Sequence, residues 1–474
     1  MKYLLTFLLI CVSQLQAHIA LPSFYSTQYS ASYLNLPSGF QSVANIDING
    51  PCLVALSLPT NSNPTALSYI KLLRFNGSSF TDITFTDTNQ VQMMFPAAWY
   101  VGDVTGDSLQ DIIIGGHGQD KGMTPGELVR ILVQTADGKL LDETADRLPQ
   151  NMLKAHDIAV ADIDNSGTKD IFICAKVMAD AAHRFYMNDG TGHFTDSTDR
   201  LPADVASDSD IWSCAFINIL GEKYPDLVLG HGVNSQENIL LINDGTGHYF
   251  KSGGYTLPPK PASLGKSVVT KIVAADLNGD GLPDLLLATT GGSIVNMYGQ
   301  TVYGYTVAGL QVLLQQRDGS FIDVTEQSGI TFNPNNDQWV RDIQVADIDG
   351  DGIPDLLLTV VGPNTQDYPG HSKVFLGTGA GKFIEQPYML SLSGYAFDII
   401  DLNKDGALDL LAISNKSFIT EMQITERQLD PIPVTVSNKF NRPSTLKPRP
   451  YSVPMDTDWN EDWFHRMNTE SVQR

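Results

Sequence analysis

Basic residues are scarce in this chain: 30 Lys and Arg stand against 53 Asp and Glu, a formal charge of −23. Nucleic acid and anionic lipid both demand a basic surface, so neither is expected as a partner. Long apolar runs are also missing. No segment reaches 18 consecutive apolar residues, so no membrane-spanning helix is expected. Cysteine is sparse, with Cys11 in the N-terminal stretch and only Cys52, Cys174 and Cys214 beyond it. An odd set of three excludes a disulfide framework, and buried free thiols are the expectation. Sustained helical periodicity is absent as well, as are the nucleophile elbow, the HExxH helix, the phosphate loop and the dinucleotide fingerprint.

What is present begins with an export signal. Lys2 precedes the apolar Leu4–Val12 stretch, and Leu15-Gln16-Ala17 supplies a small residue at a cleavage point. Residues 1–17 are therefore expected to be removed, leaving a secreted, extracellular chain (or a periplasmic or cell-surface one). Residues 430–474 carry six prolines and little alternation, which suits a Pro-rich, flexible tail.

Between them, residues 18–429 repeat one pattern: an apolar strand, an acidic Gly-containing loop, and another apolar strand. The clearest copy runs from Asp347 to Asp355, with Asp349 and Asp351 between them and Leu356-Leu357-Leu358 after it. Loops begin at Asp103, Asp162, Asp276, Asp347 and Asp401, with degenerate copies at Asn45 and Asn218. The steps between starts are 58, 59, 56, 58, 71 and 54 residues. A second signature follows each loop, as in Asn188-Asp189-Gly190-Thr191-Gly192 and Asn243-Asp244-Gly245-Thr246-Gly247. Asp-Gly between apolar runs marks a tight hairpin. Each unit thus reads as four short antiparallel strands. The expected fold is all-β: a seven-bladed β-propeller of four-stranded blades, with the strand near Phe24 completing blade seven.

Alternating carboxylates in a tight loop suit calcium, which takes six to eight oxygens; glycine at position six allows the bend. Three loops carry the full set: Asp276, Asn278, Asp280 and Asp284; Asp347, Asp349, Asp351 and Asp355; and Asp401, Asn403, Asp405 and Asp409. Asp162, Asp164, Ser166 and Asp170 form a workable set. Asp103, Thr105, Asp107 and Asp111 form another, weakened because Ser108 replaces the glycine. Four to five structural Ca2+ sites are expected, with the loops at Asn45 and Asn218 empty.

These loops, together with Gly-rich hairpins such as Phe375–Phe383, resemble the FG-GAP and VCBS-type repeat proteins, a family that includes the integrin α-subunit propeller. The resemblance spans roughly residues 24–424. It implies structural calcium on the face opposite the usual ligand surface, and adhesion or carbohydrate binding more often than catalysis.

A ligand is then expected at the other face. Counting six residues back from each loop start gives Ala97, His156, Trp212, Thr270, Arg341 and Tyr395, with Asp157 and Asp342 next in line. The loops between second and third strands add His117, His183, His231 and His371, and the insertion Gly291–Gly309 adds Tyr298, Tyr303 and Tyr305. Of these, His156, Asp157, Trp212, Arg341, Asp342 and Tyr395 are the candidate ligand-binding residues. Aromatic faces beside charges suit an extracellular glycan or protein ligand. The alternative is a propeller-based extracellular hydrolase or lyase acting on glycans, with His156-Asp157 and Arg341-Asp342 as acid–base groups. No catalytic residue is assigned.

Overall fold

The structure, a computed structural model, describes residues 23–425 apart from 31–39, 58–67, 84–90, 119–125, 177–182, 296–300, 363–369, 387–392, 402–405, 414–417 and a few isolated positions. The signal segment, the C-terminal tail, Tyr395, Asn403, Asp405 and Tyr298 lie outside the described residues.

Strands dominate because short β-branched and aliphatic runs are cut by Gly-rich turns every few residues. Blade 1 holds strands Phe40–Asp47, Pro51–Ser57, Ser68–Phe75 and Phe80–Asp82. Blade 2 holds Pro96–Gly102, Asp111–Gly116, Arg130–Gln134 and Leu140–Asp142, and blade 3 holds Ala155–Ala161, Asp170–Ala175, Arg184–Asn188 and Phe194–Asp196. Blade 4 holds Ile211–Ile217, Asp226–His231, Ile239–Asn243 and Tyr249–Lys251. Blade 5 holds Ser267–Ala275, Asp284–Val295, Thr301–Gln315 and Phe321–Asp323, and blade 6 holds Trp339–Ala346, Asp355–Val361, Gly370–Gly379 and Lys382–Glu385. Neighbouring strands are antiparallel throughout.

The expectation of a seven-bladed propeller is corrected here. The structure has six blades wound from one continuous stretch each, not seven. The remaining sheet is a composite of the chain's two ends. Ala396–Ile400, Asp409–Ile413 and Phe418–Thr425 supply three strands, and Ser23–Ser30 pairs along Phe418–Thr425 as the fourth. Blades 1 and 6 also gain a fifth short strand each, Gln92–Met93 and Ser393–Gly394. The physical reason is edge pairing: a three-stranded C-terminal sheet leaves an open edge, and the N-terminal strand covers it. The insertion Gly291–Gly309 is not a loose loop either. It lengthens the second and third strands of blade 5 into one hairpin, with Gly291 opposite Val307 and Val295 opposite Thr301.

The first strands touch one another around the ring, so they are innermost. The second strands of blades 2, 3 and 6 are buried at every residue, whereas the short outermost strands expose two residues in three in blades 3, 4 and 5. Apolar clusters form between blades rather than within them. Ile113, Ile131 and Val133 of blade 2 meet Ile158, Ile171 and Tyr186 of blade 3 in one cluster. Phe172 and Phe185 of blade 3 meet Leu227 and Tyr249 of blade 4 in the next. Trp99 packs in the same way between blades 1 and 2. Cys52, Cys174 and Cys214 are free and buried within these clusters. No helix among the described residues is long and apolar enough to cross a membrane.

Candidate functional site

At one end of blades 2, 3, 5 and 6 and of the composite sheet an acidic loop joins the first strand to the second; blades 1 and 4 carry the degenerate loops there. Its first aspartate caps the turn: position six donates its N–H to Asp103, Asp162, Asp276, Asp347 and Asp401 in the five acidic loops, at 2.8 to 3.0 Å. Position six takes positive φ in all five, at Ser108 (70°), Gly167 (89°), Gly281 (86°), Gly352 (85°) and Gly406 (91°). Ser108 therefore holds a conformation that costs an L-residue about 1–2 kcal/mol. A Cβ at Gly281 or Gly352 would meet nothing within 4 Å, so backbone conformation, not space, selects glycine there.

The last aspartate does a different job. Asp170 Oδ2 accepts from Ile163 N and its Oδ1 from Asn188 N at the end of the third strand. The same two bonds recur at Asp111, Asp284 and Asp355. They recur at Asp226 too, in the degenerate loop of blade 4. This residue staples loop to sheet whether or not its loop carries the acid set. Burial, opposed by those backbone N–H groups and assisted by neighbouring aspartates, raises the pKa of Asp170 and Asp284 to about 6 and of Asp355 to about 7.

Two loops draw their carboxylates together. One oxygen each of Asp162, Asp164 and Asp170 lie within 4.8 Å of one another, and so do those of Asp347, Asp349 and Asp355. Calcium–oxygen distances of about 2.3–2.6 Å fit that spacing. Asp347 Oδ1 is buried and accepts no hydrogen bond among the described residues. These residues fit a divalent cation. In the loop at Asp103, by contrast, Asp111 Oδ2 is taken by Val104 N, Thr105 N and Thr105 Oγ1.

A further set of groups escaped sequence reasoning. Asn188 Nδ2 reaches the Val104 carbonyl in the preceding blade's loop, and Asn243 Nδ2 reaches Ile163, both at 2.8 Å. Gln134 and Gln315 reach Asp47 and Ile219 in the same manner. The Asn that opens the Asp-Gly hairpins of blades 3 and 4, Asn188 and Asn243, was the available signal. It reads locally as a turn residue, and its Oδ1 does accept from Gly190 and Gly192.

The opposite end of the blades is where the first strands begin. Ladder pairing skips one residue in each of six first strands: Gln41, Ala97, His156, Trp212, Thr270 and Arg341. Five of these are the residues picked by counting back from the loops; each is a β-bulge, a device that re-aims a side chain. The structure places His156, Asp157, Trp212, Arg341 and Asp342 at 5% exposure or less. His156 and Trp212 come together, with ring centroids 4.5 Å apart, and His117 stacks on His156 at 5.0 Å. Asp157 turns inward: Lys271 Nζ of blade 5 (3.3 Å) and Ile158 N donate to its Oδ1, and Cys214 N of blade 4 donates to its Oδ2. Arg341 and Asp342 occupy the same register in blade 6, where Asp342 Oδ1 accepts from Ile343 N.

The remaining histidines disperse into separate contacts. His183 accepts from Ala175 N and bonds the Asp208 carbonyl, and burial pulls its pKa down to about 4. His231 pairs with Asp208 at 3.1 Å and His371 with Asp337 at 2.8 Å. Among the described residues the only groups of three or more metal-type ligands lie in the acidic loops.

Blades joined through buried inner strands, with capped acidic loops recurring at one end, define a repeat β-propeller. Three stretches, residues 103–173, 218–287 and 299–358, match the family model of the FG-GAP-like repeat, so the chain carries FG-GAP-like repeats in a β-propeller. The first two stretches run from one loop through the next. No curated protein matches the chain.

Proposed function

We propose that this chain is an exported binding module whose acidic loops hold structural calcium and whose bulged end receives an extracellular glycan or protein ligand. The observation that carries this reading is the row of bulges: one register position, at one end of the blades, offers Ala97, His156, Trp212, Thr270 and Arg341 in turn. A purely structural position would repeat its residue type, as the loop aspartates do. In the loops, Asp347, Asp349, Asp351 and Asp355 would hold the ion, as would Asp162, Asp164 and Asp170. Bound calcium supplies positive charge that offsets the crowding of these carboxylates. Loops of this exposed, small-ligand-count kind suit the ~10⁻⁴–10⁻³ M affinities of extracellular modules, in keeping with the signal-like residues 1–17.

Metal analysis and thermal unfolding of the mature chain, with calcium and with chelator, test the loops. Bound calcium and a melting temperature that climbs with its concentration are expected, at about 2.7 kcal/mol per site at 100-fold excess over Kd. No bound metal and no shift would remove the calcium reading. A glycan and peptide array, read with wild type and with Trp212→Ala, tests the face. Equal retention by both proteins would remove the ligand reading.

A further inference from the structure

Blade 5 departs from the repeat. Its second and third strands, Asp284–Val295 and Thr301–Gln315, hold 12 and 15 residues, where the second strands of blades 2, 3, 4 and 6 hold six or seven. The first strand of blade 5 begins at Ser267, which pairs with Gly291. The residues after Gly291 therefore project past their own blade, at the bulged end. Three pairs form the projecting ribbon: Ser293 with Tyr303, Ile294 with Val302, and Val295 with Thr301. Where the ladder breaks, Gly292 takes a φ of 108°, and such an irregularity bends a strand. The base is anchored, since Thr306 Oγ1 donates to the Gly291 carbonyl and Ala308 N to the Asp337 carbonyl at the entry to blade 6.

Among the described residues no third strand joins this ribbon, so both of its sides are sheet edges. A sheet edge is a row of backbone N–H and C=O groups that templates another strand, and a two-stranded ribbon by itself is marginal in water. Edges that must stay single are blunted with charge or proline. This one has neither. Residues 285–316 contain no Asp, Glu, Lys, Arg, His or Pro, in a chain of which 18% is charged. Thr301, Val302, Tyr303, Tyr305, Thr306 and Val307 are instead all residue types that favour strands.

We infer that the ribbon pairs with the same ribbon of a second copy of this chain, edge to edge and antiparallel about a two-fold axis. Identical strands meeting in this way are self-complementary, which is the requirement of a two-fold contact. Charge selects the occupant. An acidic or basic strand would find no counter-charge on the ribbon, whereas a second uncharged ribbon loses nothing by pairing there. The projection also lets two bodies of charge −23 meet without setting like charges opposite each other. Because the contact holds no ion pair and the bodies repel, salt should tighten it by screening that repulsion. The inference is independent of the calcium and ligand readings above.

The test is sedimentation equilibrium of the full mature chain across a range of protein concentrations, at low and at high salt. A monomer–dimer equilibrium is expected, with a dissociation constant that falls as salt rises. Tyr303→Lys, which sets like charges into the paired strands, should weaken the dimer about tenfold. Tyr303→Phe should leave it unchanged. Unchanged melting of each variant shows that the fold is intact. A monomer at the highest concentration and salt overturns the inference. So does a dimer that Tyr303→Lys leaves untouched, because its contact then lies elsewhere, and so does one that salt weakens, because its contact is then ionic. A monomer that instead captures an uncharged, strand-forming peptide overturns the second copy as occupant and assigns the edge to a foreign chain.

Discussion

The two ends of the blades are built from the same repeat and behave oppositely. At the acidic-loop end the same residue types recur from blade to blade and make the same bonds. Position one caps the turn, the last aspartate staples two backbone N–H groups, and an amide from the next blade closes the joint. At the bulged end the backbone recurs but the side chains do not. Ala97, His156, Trp212, Thr270 and Arg341 share one register and no chemistry. Constant chemistry at a repeated position is what folding requires. Varied chemistry on a repeated backbone is what the ligand-binding reading proposed above requires.

The strongest challenge to that contrast is the Asp157–Lys271 pair, a structural element at the varied end. Both residues are about 95% buried or more, and the pair ties blade 3 to blade 5. Lys271→Met should cost about 3–5 kcal/mol in chemical denaturation, because it leaves a buried carboxylate without its cation. A loss below 1 kcal/mol would show that the varied end contributes little to the fold.

The next test separates the staple from any metal. Asp226→Ala in blade 4 should strand the Ile219 and Asn243 N–H groups and cost about 2–3 kcal/mol, equally with calcium and with chelator. Asp355→Ala should cost a similar amount and also remove one calcium per chain. If Asp226→Ala were harmless, the last aspartate would matter only as a ligand.

Ser108→Gly sharpens the comparison within the loop end itself. Relief of the φ of 70° should stabilise by up to about 1 kcal/mol, seen as a rise in melting temperature. A fall would mean that Ser108 has a favourable role outweighing its strain.

The smallest effect concerns charge at the varied end. Burial pulls the His231 pKa down, but the Asp208 carboxylate and the Glu237 carbonyl outweigh it and raise the net value above 6.5; Asp208 is in turn lowered by His231. The histidine's contribution to stability is full below pH 6.5 and is lost as pH rises through its raised value. That of Asp208 is present above 3.8 and is lost as pH falls through its lowered value. Asp208→Asn should lower the His231 pKa in an NMR titration. An unchanged value would detach His231 from this pair.

Much of this architecture was legible in the chain. Spacing near 58 residues and the acidic loops identified a propeller, and counting back from Asp162 or Asp347 landed on the bulge residues. What escaped was non-local. The amide of Asn188 reads as a turn former, and its bond to Val104 spans 84 residues. His156 and Asp157 read as a surface pair, yet the bulge sends them to different surroundings. The strand near Phe24, by contrast, was legible as the one that completes the last sheet, and Ser23–Ser30 pairs there along Phe418–Thr425.

The sequence by itself determined the strands, the turns and the loop chemistry, since each depends on residues within about ten positions of one another. The tertiary structure alone decided which polar groups are spent inside. Whether Asp157 meets Lys271, or Asn188 reaches Val104, depends on how strands and blades pack, and burial sets the energy of each such contact.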